Sequence, residues 1–169
     1  MFRHWFISSR DAAGLQSVRE KLRFSATIQA PVSVVWNTML GEETYRKWTG
    51  DFQEGSHFLG TWDEGGTIRF LGPSEDGSFE GLVGTVAENK RHEYISIRYR
   101  GQVVNGVDDL TSEVARQISG TEENYTFTES NGVTTVDIEM DSTGDFAAML
   151  REAWPLALEK LKELSEAPR

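Results

Sequence analysis

The residues that could transfer protons or bind metal ions are scattered along this chain of 169 residues. The three histidines, His4, His57 and His92, lack the spacing of metal ligands, and we expect surface or turn positions for His57 and His92. Adjacent acidic residues such as Glu122 and Glu123 point to opposite faces of a strand, so we interpret them as solvent-facing and not as a shared carboxylate site. No phosphate loop, zinc-protease helix or serine-hydrolase elbow is present. The sequence therefore predicts no catalytic residue, no metal site and no cofactor.

The chain is rich in aromatic side chains, with 5 Trp, 4 Tyr and 9 Phe. Such side chains build ordinary hydrophobic cores. They also line apolar ligand pockets, where an O–H or N–H fixes the orientation of the ligand. Seven aromatic residues and one methionine fall on faces that we expect to look inward. These candidates for a ligand cavity are Trp48, Trp62, Phe70, Tyr99, Tyr125, Phe127, Met149 and Trp154.

The charge balance excludes one class of partner. Aspartate and glutamate number 27 against 17 lysines and arginines, which gives a formal net charge of −10. A nucleic-acid-binding protein needs a basic surface to neutralise phosphates, so we expect no nucleic-acid partner. No stretch approaches the roughly eighteen apolar residues of a membrane span. The absence of cysteine excludes disulfides and suits a reducing compartment, so we expect a cytoplasmic protein without integral membrane association.

The longest amphipathic segment runs from Asp145 to Glu166. At 1.5 Å per residue this helix would be about 33 Å long, so a broad element such as a sheet must cover its apolar face. Pro155 lacks an N–H and predicts a bend, but the apolar pattern continues across it, which indicates one bent helix. The apolar positions are Phe146, Met149, Leu150, Ala153, Trp154, Ala157, Leu158, Leu161 and Leu164.

A strand and two short helices are predicted ahead of the sheet. Residues 22–29 alternate between apolar and polar side chains, as in a strand with one buried face. Pro31 suits the first position of a helix, and Gly41 suits its end. A second short helix then brings Tyr45 and Trp48 to one face.

From Gly50 onward, short alternating segments separated by turn residues predict about six antiparallel strands. Asn131-Gly132 is the clearest hairpin turn among them. Residues 108–119 are either a short amphipathic helix or an ordered loop. We therefore predict an α+β domain over residues 21–167, with the long helix against one face of an antiparallel sheet, after an N-terminal extension of residues 1–20.

Several segments together resemble a known family. The string A-P-x-x-x-V-W-x-x-x-L at residues 30–40 is followed by an aromatic residue at Trp48. Glu-Asn-Tyr-Thr-Phe at residues 123–127 and W-P-x-A-L-E-x-L at residues 154–161 complete the pattern. In this order and spacing they resemble the homologues of the activator of heat-shock-protein-90 ATPase, in the START-like (SRPBCC) superfamily, and in particular a bacterial branch of that family.

The resemblance implies a helix-grip fold like that of the birch-pollen allergen, in which an antiparallel sheet wraps around the C-terminal helix. It also implies a cavity between them that accepts a lipid or another small apolar molecule. Eukaryotic relatives stimulate the chaperone's ATPase but carry a further N-terminal domain, for which this chain is too short. Direct contact with a chaperone is therefore a weaker expectation than ligand binding.

Three functions are consistent with these observations. The first is a binding domain for a small apolar molecule. The second is an enzyme of the polyketide-cyclase or hydrolase kind, with Tyr45, His57 or Tyr99 as the candidates for proton transfer at the mouth of the cavity. We rank it lower because the sequence supplies no paired acid and base. The third is a stress-related co-chaperone, which rests on the family resemblance alone.

Overall fold

A computed structural model describes residues 19–168, without the side chains of residues 143–145. The predicted N-terminal extension lies outside the described residues, except that Arg19 and Glu20 belong to the first strand. The elements in chain order are β1 (Arg19–Ile28), α1 (Val32–Leu40), α2 (Glu42–Trp48), a 3-10 turn (Thr49–Asp51), β2 (His57–Gly60), β3 (Thr67–Pro73), β4 (Phe79–Lys90), β5 (Tyr94–Val104), β6 (Val107–Asp109), α3 (Glu113–Ile118), β7 (Glu122–Ser130), β8 (Val133–Thr143) and α4 (Gly144–Glu166).

The strands form one antiparallel sheet in the order β1-β8-β7-β5-β4-β3-β2, with β6 paired to the end of β5. The register between β4 and β5 shifts between Val83 and Gly84, and again between Val86 and Glu88. Bulges of this kind bend a strand and increase its twist, which favours a sheet that curves around a helix. The α+β helix-grip fold predicted from the sequence is confirmed.

The long C-terminal helix is one continuous element, as predicted. Trp154 and Leu161 are buried, whereas Pro155 and Leu156 on the opposite side are exposed, so the proline lies where its missing N–H faces water. The helix packs against β1, α1 and α2, and its apolar face closes the main hydrophobic core. Between Arg19 and Pro168 no helix combines the length and apolar character needed to cross a membrane.

The predicted ends of α1 and the predicted hairpin turn are present, with Pro31 one position before the first residue of the helix. Pro31 precedes α1 as its N-cap, and the Gly41 N–H donates to the Asn37 carbonyl over 2.9 Å at the other end. Asn131 and Gly132 have φ angles of 51° and 77°, the left-handed pair that a two-residue hairpin between β7 and β8 requires.

The segment left open between helix and loop contains two elements. Val107–Asp109 forms the short strand β6, which extends the sheet by pairing with β5. The helix α3 follows, and the side chain of its N-cap, Ser112, accepts a hydrogen bond from the Ala115 N–H over 3.1 Å. Seven strands rather than about six therefore follow the two short helices.

Candidate functional site

A small cavity lies between the sheet, α2 and α4. Its volume is about 20 Å³, which is room for about one water molecule. Aromatic rings make up most of its wall, so side chains largely fill the space beneath the C-terminal helix. The described residues that line it are Tyr45, Trp48, Thr49, Phe52, Phe70, Leu82, Tyr99, Glu123, Tyr125, Met140, Phe146 and Trp154.

Five of the eight predicted cavity residues line this space. Trp48 comes from α2, Phe70 from β3, Tyr99 from β5, Tyr125 from β7 and Trp154 from α4. The sheet and both helices therefore converge on one point, although the contributing residues are far apart in the sequence.

The other three predicted residues lie elsewhere in the core. Trp62 stands behind the wall, with its ring centroid 5.6 Å from that of Phe70. Phe127 packs on Trp36 of α1, at a centroid distance of 4.9 Å. Met149 is a half-buried residue at the edge of the core. None of the three is among the described residues that line the cavity.

Glu123 is a buried polar residue, although the sequence predicted that it would face solvent. It is 5% exposed and lines the cavity. Strand β7 alternates, so Glu123 shares the inward face with Tyr125 and Phe127, while Glu122 faces outward and pairs with Arg98 over 2.9 Å. The two adjacent acids do point to opposite faces, but one of those faces is the core.

The Glu123 carboxyl is held by tyrosine hydroxyls. The Tyr125 O–H donates to Glu123 Oε2 over 2.5 Å, and Tyr99 also acts as a hydrogen-bond donor to this carboxyl. Burial raises the pKa of Glu123 from 4.5 to about 7, and the hydrogen bonds from Tyr125 and Tyr99 oppose that rise. The carboxyl is therefore near its titration midpoint at neutral pH.

The tyrosines around Glu123 remain protonated. Burial, and then the nearby Glu123 carboxylate, raise the pKa of Tyr45, Tyr99 and Tyr125 well above the usual value of 10. Each hydroxyl is consequently a hydrogen-bond donor throughout the range in which Glu123 changes charge.

Trp154 is the centre of the aromatic wall. Its ring centroid lies 5.2 Å from Phe52, 5.8 Å from Trp48 and 6.2 Å from Tyr125. The indole N–H points to the sulfur of Met140 over 3.1 Å. These contacts fix the ring that α4 contributes to the cavity.

Strand β4 lies unusually close to Tyr99 of β5 at Gly84. A Cβ added to Gly84 would lie 2.8 Å from the Arg98 carbonyl oxygen and 3.2 Å from Cδ1 of Tyr99. Any larger residue at position 84 would displace the strand or the tyrosine ring, so glycine lets β4 lie directly against Tyr99.

Neither of the two described histidines, His57 and His92, lines this cavity. His57 is 6% exposed, so the expected surface position is wrong, and it packs against Phe79 at a centroid distance of 5.1 Å. Its neighbour Phe58 faces the main core, so His57 faces the other side of the sheet. His92 lies in the turn between β4 and β5, as predicted, with a φ of 66°.

A larger depression of about 440 Å³ lies on the outer face of the sheet. It is shallow, and its walls include Arg23 and Glu139, which form an exposed ion pair at 3.1 Å. The smaller cavity is the better candidate site because a buried ionisable group lies in an apolar surrounding there. Across residues 19–168 no group of three or more acidic or histidine side chains has the geometry of a metal site.

The arrangement offers one ionisable carboxyl, three hydroxyl donors and a set of aromatic faces within a water-excluding space. Such a site can orient the polar end of an apolar molecule. With a pKa near 7, the carboxyl can also accept or donate a proton.

Comparison with solved structures shows the same fold in several bacterial proteins. The Aha1 dimer from Colwellia psychrerythraea is 17% identical, with a TM-score of 0.64 over 87% of this chain and 96% of that chain. The AHSA1-like protein from Aeromonas hydrophila is also 17% identical, with a TM-score of 0.62 over 87% and 92%. Protein Ms6760 from Mycobacterium smegmatis is 16% identical, with a TM-score of 0.64 over 88% and 92%.

None of the curated protein sequences compared with this chain matches it. A family model does match, and it spans residues 29–166, from the end of β1 to the last residue of α4. That span contains every described residue that lines the cavity. The chain belongs to the family described as Activator of Hsp90 ATPase homolog 1-like protein.

Proposed function

We propose that this protein binds a small, mainly apolar molecule between the sheet and α4, with Glu123 as the polar anchor of the ligand. The observation that carries the proposal is a buried carboxyl, 5% exposed, inside an aromatic wall. Burying an ionisable group costs stability, and groups of this kind cluster at functional sites, where anchoring a ligand is one role. The START-like fold, whose members in general bind ligands in this position, adds support.

Binding must enlarge the cavity, because a volume of about 20 Å³ does not hold a molecule larger than water. Leu82 and Phe146 are the half-buried members of the lining, so they stand where the cavity meets the surface. We expect a ligand to displace these two side chains and to leave the fully buried rings of Trp48 and Trp154 in place.

A thermal-shift titration with a panel of apolar molecules, combined with native mass spectrometry of gently purified protein, tests this proposal. A ligand that binds the folded state at one hundred times its Kd stabilises it by about 2.7 kcal/mol, so a bound compound should raise the melting temperature in a concentration-dependent way. Leu82→Trp should block the mouth and abolish the shift. The matched control, Leu59→Trp, changes an exposed leucine of β2 and should bind normally. Equal shifts in both variants would rule out this cavity.

A second candidate function is proton transfer to a bound molecule. The Glu123 carboxyl, whose pKa burial raises to about 7, is a group that can donate or accept a proton, and the sequence had not predicted this residue for that role. Of the earlier candidates, Tyr45 and Tyr99 line the cavity, whereas His57 does not. If a compound identified by binding is turned over, Glu123→Gln should reduce kcat by about a hundredfold or more. Undiminished turnover in that variant would remove Glu123 from the reaction.

A further inference from the structure

We infer that the ligand is an organic ammonium ion with an apolar tail, whose headgroup pairs with the Glu123 carboxylate inside the aromatic wall. This inference rests on the proposed function and adds the chemical class of the ligand. Three features of the site lead to this inference: the charge of the lining residues, the aromatic character of the wall and the size of the cavity.

The charge of the lining is unbalanced. Among the described residues that line the cavity, Glu123 is the one charged group, and neither lysine nor arginine is present. Tyr125 and Tyr99 give the carboxyl neutral hydrogen bonds, which do not supply a counter-charge. A buried carboxylate without a cation is costly, and a cationic headgroup would remove that cost on binding.

The aromatic rings favour the same class of ligand. The faces of Trp, Tyr and Phe carry negative potential, and a cage of aromatic side chains is a common recognition site for ammonium groups. Here Tyr45 and Trp48 meet edge to face with centroids 5.2 Å apart, and Phe52 meets Trp154 in the same way at 5.2 Å. A neutral alcohol would gain a hydrogen bond from the carboxyl but no cation–π attraction.

The size of the space fits a compact headgroup. A primary ammonium group is about as large as the one water molecule that a cavity of about 20 Å³ holds. The tail would then extend past Leu82 and Phe146 towards the surface, so only the mouth must open.

The experiment compares n-octylamine with 1-octanol by isothermal titration calorimetry at pH 8, in the unmodified protein and in two variants. Glu123→Gln removes the buried charge and keeps the shape. Glu122→Gln changes the neighbouring outward-facing glutamate and is the matched control. We expect the unmodified protein and Glu122→Gln to prefer octylamine by at least about tenfold, and Glu123→Gln to lose that preference while still binding octanol. Circular dichroism would show that both variants are folded.

A pH series on the unmodified protein provides an independent measurement. Octylamine remains protonated below about pH 10, and the other titratable groups facing Glu123 are Tyr45 on α2, Tyr99 on β5 and Tyr125 on β7. Octylamine affinity should rise as the pH increases from 5.5 to about 8, because the carboxylate form binds the cation. Octanol affinity should not rise.

The outcomes separate the two proposals. Equal affinity for octylamine and octanol would overturn the ammonium inference and leave the proposed function intact. A preference for octylamine that survives in Glu123→Gln would also overturn the inference, because the selectivity would then come from elsewhere. If neither compound binds at millimolar concentration, both proposals fail for ligands of this size.

Discussion

At the scale of single residues, the unusual feature is Glu123, a buried glutamate for which residues 19–168 provide no lysine or arginine partner. The ion pairs among those residues, such as Arg69 with Asp108 at 2.6 Å, lie on the surface. Glu123 instead receives hydroxyl hydrogen bonds within the core. Because burial penalises the charged form more than these bonds favour it, the pKa rises to about 7.

This raised pKa predicts how stability depends on pH. The unfolded chain releases the Glu123 proton near pH 4.5, but the folded protein keeps it to about pH 7. The folded state thus binds more protons between these values, so Glu123 makes the free energy of unfolding fall as the pH rises through this window. The loss is about 3 kcal/mol, at 1.36 kcal/mol for each pKa unit.

Denaturant titrations at pH 4.5 and pH 8 measure this effect as a difference between variants. The free energy of unfolding of Glu123→Gln, relative to the unmodified protein, should increase by about 3 kcal/mol between the two pH values. Tyr125→Phe removes a donor that lowers the pKa, so it should keep the slope and move its upper end to higher pH. If Glu123→Gln has the same pH dependence as the unmodified protein, folding does not raise the pKa of the Glu123 carboxyl.

The sequence was sufficient to identify most of the aromatic residues that line the cavity, but not Glu123. Large inward-facing aromatic residues such as Tyr99, Tyr125 and Trp154 follow from alternation and helical spacing. The same alternation, counted back from Tyr125, places Glu123 on the inner face, yet hydrophobicity argues that a glutamate belongs outside. Its burial is explained by the contact with Tyr125 on the same strand together with that with Tyr99 of β5, which the folding of a separate strand brings alongside.

At the scale of elements, α4 closes the core and supplies part of the cavity wall. Its inner side includes Leu150, Trp154 and Leu161, each 1% exposed or less, whereas Leu156 is 52% exposed. The helix therefore contributes to stability through one face and to the site through Trp154.

Two leucines of this helix give a matched test. Leu161→Ala should reduce the free energy of unfolding by about 2–5 kcal/mol, because it removes buried methyl groups and leaves a cavity. Leu156→Ala makes the same chemical change at an exposed position and should alter it by less than about 0.5 kcal/mol. Chemical denaturation monitored by circular dichroism measures both, and similar losses in the two variants would contradict this orientation of the helix.

Secondary-structure prediction from the sequence succeeded where the local signal was strong. The helix at residues 145–166 and the hairpin at Asn131-Gly132 have strong local signals, and both are present. Residues 107–118 are short and weakly patterned, so the division into β6 and α3 depends on pairing with β5, which local sequence does not encode. Trp62 and Phe127, predicted as cavity residues, pack against or within the core without lining the cavity, because which residues border it depends on how separate elements pack.

At the scale of the whole molecule, one small cavity lies where the sheet meets α2 and α4, and the Glu123 carboxyl of β7 lines it. The cavity has room for about one water molecule. The family model matches residues 29–166, and the solved structures have the same fold over nearly the whole described domain. Because this space is so small, the proposed uptake of a ligand requires a local opening at Leu82 and Phe146.

The most direct measurement is a carbon-13 NMR titration of the glutamate side-chain carboxyls, with the Glu123 signal identified by its absence in Glu123→Gln. We predict a titration midpoint of about pH 7 for Glu123 in the free protein, caused by burial. Saturating n-octylamine should move that midpoint lower, because a cation beside the carboxyl favours its charged form. A midpoint near 4.5 in the free protein, as for a glutamate in water, would contradict the buried anchor on which the proposed binding site depends.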